Sequence, residues 1–233
     1  MKLGIIGAMA VEVEQLKGKM ESLTVKHHAG MAFYDGILEG MDAVVVQCGV
    51  GKVNAAMCAQ ILCSVFGVTH LVNTGIAGSL SAQLDIGDLV VSKDAMYHDM
   101  DCVHFGYEMG KVPGMNVVAF PADEILIGYA YDAAQALNPG HARIGRVASG
   151  DQFVAEKTLK EKIIANTCGI CTEMEGAAIA QTAYRNQLPF VILRAISDKA
   201  DDSAEMDYPT FERIAAHRCA SVTMELAKRL INA

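Results

Sequence analysis

The chain has 233 residues, of which 52% are hydrophobic and 20% charged, and its 27 acidic against 19 basic side chains leave a formal charge of −8. One domain of the usual roughly 100–200 residues, on the generous side, accounts for that length, so residues 1–233 are read as a single unit. The composition is too apolar for a disordered chain, and the acidic balance disfavours nucleic acid and anionic membrane surfaces, which leaves a small molecule as the expected ligand.

The longest stretch free of Asp, Glu, Lys and Arg, Val53 to Leu84, is interrupted by Asn54, Gln60, Ser64, His70, Asn73 and Thr74 before about 20 apolar residues accumulate, and no membrane-spanning helix is predicted. The segment Met1 to Gly7 lacks the apolar run and cleavage site of an export signal, so a cytoplasmic location is expected. Seven cysteines, an odd number set mostly in apolar patterns, read as free thiols.

In chain order, Leu3 to Gly7 reads as a buried strand and Val11 to Met20 as a helix with Val13, Leu16 and Met20 on one face. Extended segments follow at about Thr24 to Ala29, Ala32 to Leu38 and Ala43 to Gln47, turning at Gly30 and at Gly40-Met41-Asp42. A helix over about Val53 to Phe66 leads to strands at His70 to Gly75 and Asp88 to Ser92. Beyond Pro113-Gly114 the pattern predicts a helix over Asp123 to Leu137 and a strand over Ala142 to Ala148. Helices at Glu156 to Ile164, Glu175 to Asn186 and about Pro209 to Ile231 then alternate with strands at Gly169 to Thr172 and Pro189 to Ile196. The class is α/β: a central mixed, mostly parallel twisted sheet with antiparallel hairpins early in the chain, flanked by helices. Ligands of such sheets bind beyond the carboxyl ends of the strands.

Four strand-end loops collect the chemically unusual residues: Gly7-Ala8-Met9 with Glu12, Asn73 to Gly78, Thr172 to Gly176, and Arg194 to Asp198. Gly4 and Gly7 lack the third glycine of a dinucleotide fingerprint, and Gly49-Val50-Gly51-Lys52-Val53 lacks the spacing and the Ser or Thr of a P-loop, so neither cofactor is predicted. Cys168-Gly169-Ile170-Cys171 has metal-like spacing but no second pair to complete a shell, and it reads as structural, with no metal expected. His98, beside Asp99 and Asp101, reads as a surface feature. Glu173 and Glu175 would share a side at a strand end, yet acids at a helix start are also favoured by the macrodipole by about 0.3–1 kcal/mol. Asp198 would serve equally as a cap. Together, however, Glu12, Glu175 and Asp198 each follow a buried strand at the ligand-collecting edge, with Arg194 close by.

These residues resemble the 5′-methylthioadenosine/S-adenosylhomocysteine nucleosidases of the nucleoside phosphorylase superfamily, almost from end to end. The resemblance rests on Gly4 to Met9 with Glu12, Gly49 to Val53, Asn73-Thr74-Gly75, Tyr97-His98-Asp99 with Phe105-Gly106-Tyr107, Ser149-Gly150-Asp151 with Phe153, Glu173-Met174-Glu175, and Arg194 to Asp198. It implies hydrolysis of the adenine–ribose bond, with protonated Asp198 as acid on adenine N7 beside Ser197, Glu12 activating water near Arg194, and Glu175 holding the ribose hydroxyls with Met174 against the ring. Phe153 would stack on adenine and the backbone of Val154 would read its edge. Met9, Val50, Ile76 and Tyr208 would line the pocket with Cys102, Phe105 and Tyr107, the last three contributed by the neighbouring subunit of a homodimer. The apolar surplus of the Val53 to Leu84 segment would be covered either by that dimer or within the monomer. Ile76, Cys102 and Tyr208 depart from familiar members, which bears on substrate preference. The rival readings are a purine nucleoside phosphorylase, a 6-amino-6-deoxyfutalosine hydrolase and a non-catalytic nucleoside sensor. The first is disfavoured because phosphate demands arginines and the first Arg is Arg143. The sensor would not require three acids.

Overall fold

A computed structural model describes residues 1–201 and 204–231. The order is β1 (Leu3–Gly7), α1 (Ala10–Gly18), β2 (Met20–His28), β3 (Met31–Leu38), β4 (Met41–Gln47), α2 (Lys52–Val65), β5 (His70–Ser79), β6 (Leu89–Tyr97), β7 (Phe120–Pro121), α3 (Glu124–Leu137), β8 (Ala142–Ser149), α4 (Lys157–Thr167), β9 (Cys171–Glu173), α5 (Gly176–Asn186), β10 (Phe190–Asp198) and α6 (Ala204–Ile231). A short 3-10 turn spans Val103–Phe105.

The strands form one mixed sheet in the order β10-β6-β8-β9-β5-β1-β4-β3-β2, and β10 also pairs with β5, so five strands close into a ring while β1, β4, β3 and β2 extend from it. Pairing is parallel at β1–β4, β1–β5, β5–β10, β6–β8 and β8–β9. The hairpins expected early in the chain are antiparallel β2–β3 and β3–β4. The ring is shut by two antiparallel pairings, β6–β10 and β5–β9, which local sequence pattern does not encode.

The alternating side chains of the strands feed two main cores. Ile6, Val44, Val46 and Leu71 pack with Leu62 of α2 and Ile179 of α5, whereas Leu3, Ile5, Val45 and Val191 pack with Leu16 of α1 and Cys219 and Leu226 of α6. No described helix is long and apolar enough to cross a membrane. Several predicted bounds shift. β5, β6 and β10 run further toward their carboxyl ends than predicted, β9 begins later, and the two-residue β7 has no sequence signal. The last helix starts at Ala204, ahead of the predicted Pro209, so that Pro209 lies in its second turn, where its ring removes one i→i−4 hydrogen bond.

Asp123 illustrates how the frame is pinned far from the ligand edge. Its carboxylate caps α3 by accepting from Leu126 N at 2.9 Å, and its own N–H bonds Phe190 O at 3.0 Å. Phe190 is at the opposite end of β10 from Asp198, about 26 Å away at the usual strand rise. Asp123→Ala is expected to lower unfolding stability by about 1 kcal/mol in urea melts while leaving ligand affinity unchanged.

Candidate active site

The strand ends of β1, β5, β9 and β10, with the starts of α1 and α5, enclose an open cleft of about 580 Å³. Its floor carries four acids, Glu12, Glu173, Glu175 and Asp198, and among the described residues lining it there is no Lys or Arg.

Glu12 sits in the first turn of α1 and folds back on the β1–α1 turn. Its Oε2 accepts from Ala8 N at 2.7 Å and Met9 N at 2.9 Å, and its Oε1 accepts from Ile76 N at 3.1 Å, so backbone donors fix the carboxylate. Burial pushes its carboxyl up, against the pull of Arg194 and those donors.

Arg194, 2% exposed, lies in β10 opposite Gly75 of β5. A Cβ on Gly75 would collide with the Glu12 carboxylate and come within 2.8 Å of the guanidinium, so only glycine leaves room for the two to approach. The sequence reading put Arg194 near Glu12. Its direct partner, however, is Glu173, a short ion pair, with a further bond to Asn73 Oδ1; Glu175 Oε2 lies 3.9 Å away.

Glu173 is the residue that sequence reasoning quoted in a motif but did not place in the site. Its Oε1 accepts from Ser149 Oγ, and its Oε2 accepts from Glu175 N at 3.1 Å and Gly176 N at 2.8 Å, so it is the acid that caps α5. Burial alone would raise its carboxyl, but Arg194, Ser149 and the Gly176 N–H outweigh that and hold it below the ordinary range. Glu175 accepts instead from Gly51 N at 2.8 Å, at the start of α2. Burial, and then the charge of Glu173, push its carboxyl up to about 7.

Asp198 ends β10, 3% exposed. Its Oδ2 accepts from Ser197 Oγ at 2.8 Å and its Oδ1 from Ala200 N at 2.8 Å, yet burial outweighs both and raises its pKa. Met9, Val50, Ile76, Phe153, Val154 and Met174 line the cleft with these acids. Tyr208 of α6 closes the mouth: its ring meets Phe153 edge-on at 5.5 Å and its hydroxyl reaches Met9 Sδ at 3.3 Å and Glu212 Oε1 at 3.4 Å. Cys102, Phe105 and Tyr107 are not in this cleft; Phe105 is 80% exposed. His98 is buried against Gly150, not on the surface as read from its acidic neighbours, because its backbone N–H pairs with Ser149 O and turns the ring inward.

The model of the phosphorylase superfamily matches residues 2–228. A 5′-methylthioadenosine/S-adenosylhomocysteine nucleosidase of Halalkalibacterium halodurans is 39% identical over 230 residues, which is 98% of this chain and 99% of that one. The solved nucleosidase of the same name from Colwellia psychrerythraea, in complex with adenine, superposes with a TM-score of 0.95 at 39% identity over 99% of this chain and 96% of that one. A futalosine hydrolase mutant of Helicobacter pylori superposes with a TM-score of 0.93 at 29% identity over 98% of this chain and 99% of that one. The fold and the full-length matches thus define a phosphorylase-superfamily protein. Within that superfamily, the chain belongs to the 5′-methylthioadenosine/S-adenosylhomocysteine nucleosidase family.

The raised Glu175 carboxyl has a defined consequence for stability. The folded state holds that proton more tightly than the unfolded one, so the chain loses stability as pH rises from about 4.5 through about 7 and regains none above it. The melting temperature of the free protein is expected to be lower at pH 8 than at pH 5.5, and Glu175→Gln, which stays neutral, should remove a large part of that difference in calorimetry.

Proposed function

We propose that the chain hydrolyses the N-glycosidic bond of 5′-methylthioadenosine and S-adenosylhomocysteine, and also of 5′-deoxyadenosine, releasing adenine and the sugar. The observation that carries hydrolysis rather than phosphorolysis is the cleft's charge: four acids, and no Lys or Arg among its described lining residues. A phosphate nucleophile would face these carboxylates without a cation, whereas water needs an acceptor for its proton.

The bond breaks through an oxocarbenium-like state, which calls for an acid on the leaving group and a carboxylate for the water. Asp198, whose proton-bearing form is favoured by burial, donates to adenine N7, with Ser197 orienting it. Glu12, locked by three backbone donors, takes the water's proton. Glu175 holds the ribose hydroxyls and stabilises the developing positive charge, and Met174 packs on the sugar. Phe153 stacks on the base, Val154 reads its edge, and Met9, Val50, Ile76 and Tyr208 receive the 5′ substituent.

The functional unit in this reading is a cytoplasmic homodimer in which Cys102, Phe105 and Tyr107 reach the neighbour's pocket. Exposed Val50, Val53, Met57, Val103 and Phe105 give the two copies an apolar surface to share. The futalosine hydrolase likeness supports one further substrate, 6-amino-6-deoxyfutalosine, for the same chemistry.

Adenine release from 5′-methylthioadenosine is expected to be independent of added phosphate and to leave free methylthioribose; a phosphate-dependent rate with a sugar 1-phosphate product would overturn hydrolysis. Asp198→Asn should lower kcat by about 10²–10⁴ while nucleoside binding persists. Wild-type protein that binds the nucleoside without turnover would instead establish a sensor. Light scattering is expected to give the mass of two chains, and a monomer with full activity would remove the shared pocket.

A further inference from the structure

One charged cluster has no place in the chemistry above. Lys52 begins α2, Asp99 follows β6 and Asp151 follows β8, so three loops meet in it. Lys52 Nζ lies 2.6 Å from Asp99 Oδ2 and 3.6 Å from Asp151 Oδ2, over the Tyr97 ring at 5.5 Å from its centroid. The backbone repeats the connection: Asp151 N donates to Asp99 Oδ2 at 2.9 Å, and Lys52 N donates to Asp151 Oδ1 at 2.8 Å.

α2 has no side-chain cap of its own, and Gly51 before it takes φ of +99°, a conformation that suits glycine. Its first free donors are satisfied from elsewhere in consecutive order, Gly51 N by Glu175 and Lys52 N by Asp151. One helix start therefore grips both the acid assigned to the ribose and the segment that, two residues on, carries Phe153. Asp99 and Asp151 share the Lys52 ammonium, whose charge offsets the repulsion between these two carboxylates. Asp99 adds a third tie, because it opens the stretch leading to Cys102, Phe105 and Tyr107.

We propose that Lys52, Asp99 and Asp151 form a clamp that sets the purine platform and the ribose-holding carboxylate in register with each other and with the 98–107 stretch. The proposal rests on the nucleosidase reading for the identity of the ligand. Lys52 and Asp99 do not line the cleft and are positioning residues. The side chains are partly exposed, and a pair of this kind contributes little to global stability. Its loss is therefore felt in the placement of the loops more than in the melting temperature.

The test is steady-state kinetics on 5′-methylthioadenosine together with adenine titration calorimetry. Lys52→Met keeps the stem and removes the charge. It is expected to raise KM about tenfold with kcat changed less than threefold, to weaken adenine binding, and to move the melting temperature by no more than a few degrees. Asp99→Asn should behave alike, the double variant should fall well short of the sum of the two singles because the Lys52–Asp99 pair is common to both, and Lys52→Arg should recover most of the affinity. Raising salt from about 0.05 to about 1 M should raise KM of the wild type and leave that of Lys52→Met flat. Full additivity of the singles, a KM shift that merely tracks lost stability, or an unchanged KM would overturn the clamp. The wild-type rate judges the nucleosidase reading separately: with no turnover, the adenine affinities of the same variants still decide the clamp.

Discussion

A single buried guanidinium sets the terms for everything around it. Arg194 has left water almost completely, at a desolvation cost of several kcal/mol, and such a charge persists only when well-placed partners offset it. Three carboxylates do so, but unequally. Glu173 takes the direct ion pair and Asn73 a second bond, whereas Glu12 and Glu175 stand near without replacing Glu173. Burial raises the carboxyls of Glu12 and Glu175, at Glu175 the charge of Glu173 adds to it, and the pull of Arg194 does not outweigh this, so the two less favoured acids hold their protons more tightly than free carboxylates do. The unequal sharing of Arg194 thus divides the acids into a permanent counterion and two groups of adjustable charge.

Backbone donors make that division geometrically stable. Each glutamate of the cleft takes N–H groups that helices leave unpaired at their starts: Glu12 those of Ala8 and Met9 before α1, Glu173 those of Glu175 and Gly176 at α5, and Glu175 that of Gly51 before α2. The acids are simultaneously helix caps and site residues, so the ordinary helix-start reading and the functional reading describe the same contacts. Closure of the five-stranded ring brings these starts together, since β5, β9 and β10 meet at one end only because β5 pairs on both sides within the ring.

Much of this was legible in the amino-acid order. The apolar runs and glycine turns marked most strands and helices, and the loops holding Glu12, Glu175 and Asp198 were expected to converge at one edge, where they line one cleft. The partner of Arg194 was not, because it depends on register. Parallel pairing sets Arg194 opposite Gly75, and the missing Cβ there admits both the guanidinium and Glu12, while β9 delivers Glu173 from the side. Sequence spacing carries no information on which strands lie side by side in a closed ring. His98 was misread for a related reason: its acidic neighbours suggested solvent, but the bond of its N–H to Ser149 O, across the β6–β8 ladder, decides where its ring points. The early start of α6 and the two-residue β7 depend likewise on what packs beside them rather than on local propensity.

The same charge arrangement bears on the choice of nucleophile. Two unit charges about 4 Å apart at the effective dielectric of a partly exposed site interact by about 4 kcal/mol, so a phosphate dianion beside even one ionised glutamate of this cleft would be strongly disfavoured. Arg194 offers no relief, for its guanidinium is already engaged by Glu173 and Asn73 behind the cleft wall. Neutral water suffers no such repulsion and gains from an acceptor whose oxygens are held still by Ala8, Met9 and Ile76. In the proposed reaction the leaving group meets the complementary arrangement, since burial favours the neutral, proton-bearing form of Asp198. In that reaction burial thus favours the acid where the base departs, while the backbone N–H groups and Arg194 favour the carboxylate where solvent enters.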